Sequence, residues 1–191
     1  MLVVSRNLYR HNAQTVARNL LGKYLVRRVN GKTKAYKIVE TEAYVGPHDK
    51  ASHAYRGRTK RNEPMFGPPG HWYVYLTYGM HYMLNLVTGK DGYPSAVLIR
   101  AIKPVPFPGI AQRKVLRLDG PGKLTKALKI DKKLNAKPAT KKNGLWIEEE
   151  PFDSAQGKKK VNPRKIKKTP RIGIGYAGEW VDKPLRFILE E

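Results

Sequence analysis

The run Val39-Glu40-Thr41-Glu42-Ala43-Tyr44 places two carboxylates two residues apart in a β-forming segment. Side chains alternate along a strand, so Glu40, Glu42 and Tyr44 share one face and Thr41 takes the other. A carboxylate held beside a reacting centre can serve as a general base. The competing reading is an edge-strand salt bridge to one of the many Lys and Arg residues, and composition alone favours it. Aromatic residues gather further on, at Trp72, Tyr73, Tyr75, Tyr78 and Tyr82. In a strand Tyr73 and Tyr75 face one way, while Trp72, Val74 and Leu76 face the other. Trp72 is expected in the core. Tyrosines are less suited to full burial and offer flat faces on which a planar ligand can stack. Tyr78, beside Gly79, is expected at a turn tip.

A third cluster lies between Gly46 and Gly70, where His53 accompanies Arg56, Arg58, Lys60 and Arg61. A lone histidine is more often structural than a ligand, and the five histidines lack the HExxH-type spacing of a metal site. No metal site is expected. The cations are candidate phosphate contacts, which set position without reading sequence.

The whole chain supports that reading. Its 191 residues carry 38 Lys and Arg against 15 Asp and Glu, a formal net charge of +23. Such an excess favours a polyanionic partner. Nucleic acid is preferred to a membrane surface, because no basic amphipathic helix with a broad apolar face is present. Phosphate repels carboxylates, so a functional glutamate belongs where a base or sugar sits. A base extruded from a duplex stacks between aromatic side chains, and an aromatic at a turn tip can wedge into the gap it leaves. The chain has no cysteine. Disulfides, thiolate zinc sites, iron–sulfur clusters and a cysteine nucleophile are therefore excluded. The start, MLVVSRNLYRHN, lacks an apolar signal-peptide core, and no stretch approaches the roughly 20 apolar residues of a spanning helix. The expectation is a soluble, intracellular monomer.

The elements that must position these residues read as a single compact α+β domain, residues 1–191, mostly antiparallel β with peripheral helices. Asn12 to Gly22 reads as a helix, with Asn12 as N-cap and Gly22 as terminator. Tyr24–Val29 and Thr33–Glu40 flank Asn30-Gly31, the signature of a type I′ hairpin. Gly46–Gly70 reads as a long loop. Strands are expected at Trp72–Tyr78, Tyr82–Val87 and Ser95–Ile102. Helices follow near Ile110–Leu118 and Gly122–Ile130, then short strands at Leu145–Ile147, Arg171–Gly175 and Leu185–Leu189. Two basic segments, Lys132–Asn143 and Gln156–Lys168, read as solvated, mobile surface loops in preference to extensions of a phosphate-binding face. The second has seven Lys or Arg and no acid.

Four strings in order, IVETEAYVGPHDKASHAYRGRTKRNEPMFGPPGHWYVYLTYGMHYMLN, AVLIRAIKP, DGPGKLTKAL and RIGIGYAGEWVDKPLRF, resemble the alkyladenine (3-methyladenine) DNA glycosylase family. The resemblance runs from Ile38 to Phe187. It implies an enzyme that flips alkylated or deaminated purines from double-stranded DNA and hydrolyses the N-glycosidic bond without a metal or cofactor, leaving an abasic site. Glu42 resembles the general base that activates water, and Arg100 and the backbone carbonyl of Ile172 resemble the groups that hold that water. Tyr44, His53 and Tyr75 resemble the walls around the extruded base, with the His53 amide at the base edge. Tyr78 resembles the intercalating wedge. Asn85 resembles the side chain that excludes normal guanine by clashing with its exocyclic amine. Met65 and Phe66 resemble minor-groove contacts, and Arg56, Arg58 and Arg61 remain phosphate-contact candidates. Two rivals are a bifunctional glycosylase/lyase using a lysine nucleophile and a non-catalytic nucleic-acid-binding protein.

The charge balance makes a direct prediction. Affinity for undamaged duplex should fall with salt, with a log–log slope of about −0.9 per phosphate neutralised. Filter binding or anisotropy across a salt series measures it, and a slope near zero contradicts an electrostatic footprint.

Overall fold

A computed structural model describes residues 2–104, 118–149 and 165–190. All but the last residue of the helix expected at Ile110–Leu118, and most of the basic segment Gln156–Lys168, lie outside them. Near the start, α1 spans Arg6–Tyr9 and α2 spans Ala13–Leu20. Asn12 caps α2 by accepting from the Thr15 amide at 2.9 Å, and Gly22 follows the helix with φ of 82°. The buried face of α2 is Ala13, Val16, Ala17 and Leu20.

The described strands are β1 (Tyr24–Val29), β2 (Lys32–Tyr44), β3 (Trp72–Thr77), β4 (His81–Thr88), β5 (Ser95–Pro104), β6 (Leu145–Glu148), β7 (Ile166–Thr169) and β8 (Arg186–Leu189). They form one antiparallel sheet in the order β3-β4-β5-β2-β1-β6, with β8 pairing both β2 and β7. The β1–β2 turn is the predicted type I′, with Asn30 and Gly31 at φ of 50° and 73°. Short α3 (Pro121–Ala127) closes the set.

The 13-residue β2 organises the sheet. Its first half pairs with β1, its second half with β8, and β5 runs along its other edge. Glu40 and Glu42 therefore sit on an interior strand and not at the edge that a simple surface salt bridge would use. One face of the sheet meets α2, where the Thr41 hydroxyl donates to the Ala17 carbonyl at 2.9 Å. The main core lies there, with Val16, Leu20, Ile38, Trp72, Leu84 and Ile99. The opposite face carries Glu40, Glu42 and Tyr44, covered by the segments around 46–70 and 170–180.

Two expectations are corrected. Arg171–Gly175 is not a strand. The Ile172 amide donates to the Glu42 carboxylate, the Arg171 side chain is buried, and Gly173 turns the chain with φ of 77°. Nor is Lys132–Asn143 a loosely solvated loop. Leu134 and Ala139 are buried, and the segment hydrogen-bonds to the free edge of β3: the Trp72 amide donates to the Lys137 carbonyl, and the Ala136 amide to that of Trp72. Asn135 Oδ1 accepts from the Val74 amide at 2.9 Å. Lysines between these anchors face solvent, while the backbone covers an edge strand that would otherwise offer unpaired groups. The end of the second basic segment likewise joins the sheet, as β7.

Trp72 is fully buried, and its Nε1–H donates to the Leu145 carbonyl at 3.1 Å. Trp72→Ala should cost about 3–5 kcal/mol and lower Tm sharply. Denaturant titration checks it, and a loss below about 1 kcal/mol would place the indole outside the core.

Candidate active site

Strand register assembles the site. Arg186, Glu42, Leu98, Asn85 and Tyr73 form one row across four junctions, from β8 through β2, β5 and β4 to β3. Residues opposite one another share a face, so positions distant in sequence converge. Arg100 enters through a bulge: Glu40 pairs with Ala101 and Thr41 with Ile99, which leaves Arg100 as the extra residue on β5. A bulge re-aims a side chain, and here the guanidinium swings over the two glutamates. Above this row lies a cavity of about 230 Å³, lined among others by Tyr44, His53, Tyr73, Tyr75, Asn85 and Arg100. It is smaller than the usual pocket for a drug-sized ligand, a size suited to one ring system and not to a chain segment.

Glu42 lies behind Tyr44, Arg100 and Ile172, which line this cavity, and its own side chain is 0% exposed. Oε1 accepts from the Ile172 amide at 2.9 Å and lies 3.3 Å from Arg100 Nη1. Oε2 accepts from the Tyr44 hydroxyl at 3.0 Å. A carboxylate has about four acceptor positions, so one remains on Oε2. Burial pushes the Glu42 carboxyl above the ordinary glutamate value, against the opposing pull of Arg100, the Ile172 amide, the Tyr44 hydroxyl and Arg171. The result is an anion that is difficult to keep charged and correspondingly basic. Ile172 meets Glu42 through its N–H, whereas the family resemblance singles out its carbonyl, which belongs to the next peptide group.

The walls are fixed from behind. Arg171 and Asp49 form a fully buried bidentate pair, at 2.6 and 2.8 Å, and Arg171 also donates to the Ala43 carbonyl. The guanidinium lies 4.7 Å from the centre of the Tyr44 ring. Asp49 further accepts from the Val45 and Ala51 amides, which locks the start of the covering loop. Across the cavity, the His53 and Tyr75 rings meet at 4.5 Å, and His53 Nδ1 is 2.8 Å from the Tyr73 hydroxyl. Burial, helped by nearby Arg61, lowers the His53 pKa and keeps the imidazole neutral. Burial raises Tyr75 to about 12 and Tyr44 well above the normal phenol range, so both remain protonated. Asn85 is buried, and its amide nitrogen donates to the Tyr73 carbonyl at 3.1 Å, with the Met83 carbonyl at 3.4 Å.

The rim is exposed. Tyr78 is 86% exposed and adopts φ of 49°, followed by Gly79 at 67°. A left-handed conformation at a non-glycine residue costs roughly 1–2 kcal/mol, and such strain clusters at functional sites. Met80, on the same turn, and Tyr176 are 71% and 70% exposed. Met65 corrects an expectation: it is 2% exposed and packs with Tyr73, Val87 and Ala96. It floors the pocket and cannot reach a DNA groove. Phe66 is half-buried beneath the Arg58 guanidinium, 5.3 Å from the ring centre. Arg58 also pairs with Glu63, whereas Arg61 lies 5.4 Å from the Tyr75 ring and donates to the Leu76 carbonyl. Arg56 is exposed, at the end of the turn that begins with His53.

The sequence reading did not single out Asp49, Arg171, Met80 or Tyr176. One Asp in a basic loop gives no sign of a partner 122 residues away. Met80 could have been found from its place beside Tyr78.

Fold and pocket define a strongly basic α+β protein with a desolvated carboxylate behind an aromatic cavity. The family model for methylpurine-DNA glycosylase matches residues 7–191. A protein of Carboxydothermus hydrogenoformans is 49% identical over 198 residues, covering 99% of this chain and 96% of its own. One of Methanocella arvoryzae is 46% identical over 194 residues, covering 98% and 92%. One of Legionella pneumophila strain Lens is 44% identical over 191 residues, covering 100% and 96%. All three carry the provisional name 3-methyladenine DNA glycosylase. The chain belongs to the methylpurine-DNA glycosylase family. Among the described residues, no helix is long and apolar enough to cross a membrane.

The Glu42 environment predicts a stability effect of definite sign. A carboxyl whose pKa is raised by folding favours the fold while protonated, and that contribution is lost as pH rises through the folded-state value. At neutral pH the ionised group is therefore a net cost. Glu42→Gln should melt at or above the wild-type temperature at pH 7, with the difference closing on acidification. A large loss at pH 7 would show that the charge stabilises the fold.

Proposed function

We propose that this protein is a monofunctional DNA glycosylase that extrudes an alkylated purine from double-stranded DNA and hydrolyses its N-glycosidic bond with water activated by Glu42. The observation that carries the reading is Glu42 itself: fully buried, held by three donors with acceptor capacity to spare, behind a cavity walled by Tyr44, His53 and Tyr75. Family membership and the names of the relatives support alkylated purines, 3-methyladenine foremost, as the substrate.

In this mechanism Tyr78 enters the stack as the nucleotide leaves it, and exposed Met80 takes the minor-groove place that buried Met65 cannot. Arg56, Arg58 and Arg61 hold phosphates, with Arg58 weakened by Glu63 and Phe66 a support for its guanidinium. The base slides between Tyr44 on one side and His53 and Tyr75 on the other, its edge toward the His53 amide. Each cation–π contact with an alkylated, positively charged purine is worth roughly 0.5–2 kcal/mol. Neutral His53 adds no repulsion. Asn85, tied by its amide nitrogen to the Tyr73 carbonyl, cannot swing aside for the exocyclic amine of guanine. Water rests on Oε2 of Glu42, Arg100 and the Ile172 carbonyl. Its oxygen bonds to C1′ as the C1′–N bond breaks, the electron pair leaves with the purine, and the water proton passes to Glu42. The carboxylate also stabilises the oxocarbenium character of the sugar. An alkylated cationic base leaves without further protonation. The product is an abasic site in an uncut strand, since no lysine need form a Schiff base.

Base release from a duplex carrying one 3-methyladenine-type lesion tests the reading. Glu42→Gln should lower single-turnover release by about 10²–10⁴-fold and retain lesion binding. Release at the wild-type rate would overturn the assignment, and borohydride trapping of the wild type would overturn the monofunctional reading.

Tyr78→Ala makes a separate prediction. The ring is exposed, so Tm should hardly change, whereas lesion affinity should fall, most for well-paired lesions and less for mismatched ones that extrude more readily. A large fall in Tm with unchanged affinity would make the tyrosine a packing residue.

A further inference from the structure

Glu40, two residues before Glu42, does not line the cavity, and as an ion pair alone it would be ordinary surface chemistry. Its contacts are less ordinary. One oxygen, Oε1, takes two guanidinium groups at once: Arg100 Nε at 3.0 Å and Arg186 Nη1 at 3.0 Å. Each arginine then continues to the site by a different route. Arg100 uses Nη1 to reach Glu42 Oε1 at 3.3 Å. Arg186 uses Nε to hold the Pro170 carbonyl at 3.0 Å, and two residues on the Ile172 amide donates to the same Glu42 oxygen at 2.9 Å. The contacts close into a circuit: Glu42, Arg100, Glu40, Arg186, the Pro170–Ile172 backbone, and Glu42 again.

Sheet geometry explains how this is possible. Glu40 and Glu42 lie on one face of β2, Arg100 reaches them from its bulge on β5, and Arg186 stands opposite Glu42 on β8. The side chains of Glu40, Arg100 and Arg186 are only 13–20% exposed. Partial burial leaves these charges less screened than a surface pair. Without Glu40 two guanidinium groups would face each other with no anion between them, and both would turn away or toward Glu42.

We infer that Glu40 is a positioning residue for base excision: it holds Arg100, and through Arg186 the Pro170–Ile172 backbone, in register with Glu42, and it takes up part of the positive charge of Arg100. The inference rests on Glu42 being the general base. Glu40 itself touches neither water nor substrate.

The electrostatic half has a definite sign. The groups that face Glu42 are Glu40 and Tyr44 from its own strand, Arg100 from β5, Tyr75 from β3, Arg186 from β8, and Arg171 with the Ile172 amide from the covering segment. Neutralising Glu40 removes a like charge and frees Arg100 to act on Glu42 alone. Both changes favour the ionised form of Glu42 and lower its pKa. The geometric half predicts a slower reaction, because Arg100 and Ile172 lose their common anchor.

Single-turnover release from the lesion duplex, measured against pH on wild type, Glu40→Gln and Glu42→Gln, tests both halves. For Glu40→Gln the plateau rate should fall by about 10–100-fold, the scale found when an outer hydrogen-bond partner of a metal ligand is removed. Its acidic limb should move to lower pH, and lesion affinity should stay near wild type. Wild-type rate and limb in Glu40→Gln overturn the inference. So does a fall in Tm with rate per folded molecule and limb unchanged, because the pair is then structural only. If Glu40→Gln does not fold, Glu40→Asp replaces it: the charge is kept but the shorter side chain cannot span both arginines, and a wild-type rate overturns the inference. Failure of the underlying function is distinguishable, since Glu42→Gln would then release base as fast as wild type.

Discussion

A carboxylate removed from water must be surrounded by donors or give up its charge, and Glu42 is held between these outcomes. Its donors come from three places in the chain: Tyr44 on its own strand, Arg100 on β5 and the Ile172 amide from the covering segment, with the charge of Arg171 acting at longer range. No local motif could supply that set. It requires β2 to be an interior strand with β5 on one edge and β8 on the other. It also requires a bulge to turn Arg100 inward and a segment that gives up strand pairing so that its amide can face a side chain.

Stability is spent around the site in a consistent pattern. Desolvation of Glu42 works against the folded state at neutral pH, and Tyr78 holds a left-handed backbone at a fully exposed tip. Both are local costs in the region where chemistry and insertion would occur. They are offset elsewhere. The main core on the other face of the sheet packs Trp72 against Leu145, and the Arg171–Asp49 pair fastens the covering segment to the loop after β2. Removing one partner of such a buried pair typically costs about 3–5 kcal/mol. The pair is thus best regarded as a rivet behind Tyr44 that keeps the ring in place while its other face stays open.

Much of this was legible in the sequence where the signal is local. Asn30-Gly31 specified its turn, Asn12 its helix start, and strand alternation put Glu40, Glu42 and Tyr44 together and separated Tyr73 and Tyr75 from Trp72. The motif strings brought Arg100, Asn85 and Ile172 into view. What was not legible depends on distant partners. Asp49 reads as one acid in a basic loop until Arg171 is folded against it. Arg171–Gly175 reads as a strand because Ile172 and Ile174 alternate with glycines, yet the amide that a sheet would use is taken by Glu42. Lys132–Asn143 reads as solvated because lysine dominates its composition, while Leu134 and Ala139, too far apart to form an apolar run, decide its placement. Met65 reads as outward-facing from its place in a motif, and burial against Tyr73 reverses that.

Burial makes Glu42 a more basic carboxylate than an ordinary glutamate, and its ionisation can be measured without substrate. Carbon-13 NMR titration of protein labelled at glutamate side-chain carboxyls, with the Glu42 resonance assigned by its loss in Glu42→Gln, reports the ionisation directly. Glu42 should titrate above the ordinary glutamate value while the exposed Glu63 and Glu179, each paired with a cation, titrate below it. A Glu42 resonance that titrates at or below the ordinary value would mean that Arg100, the Ile172 amide, the Tyr44 hydroxyl and Arg171 outweigh burial, and that Glu42 is not a basic carboxylate.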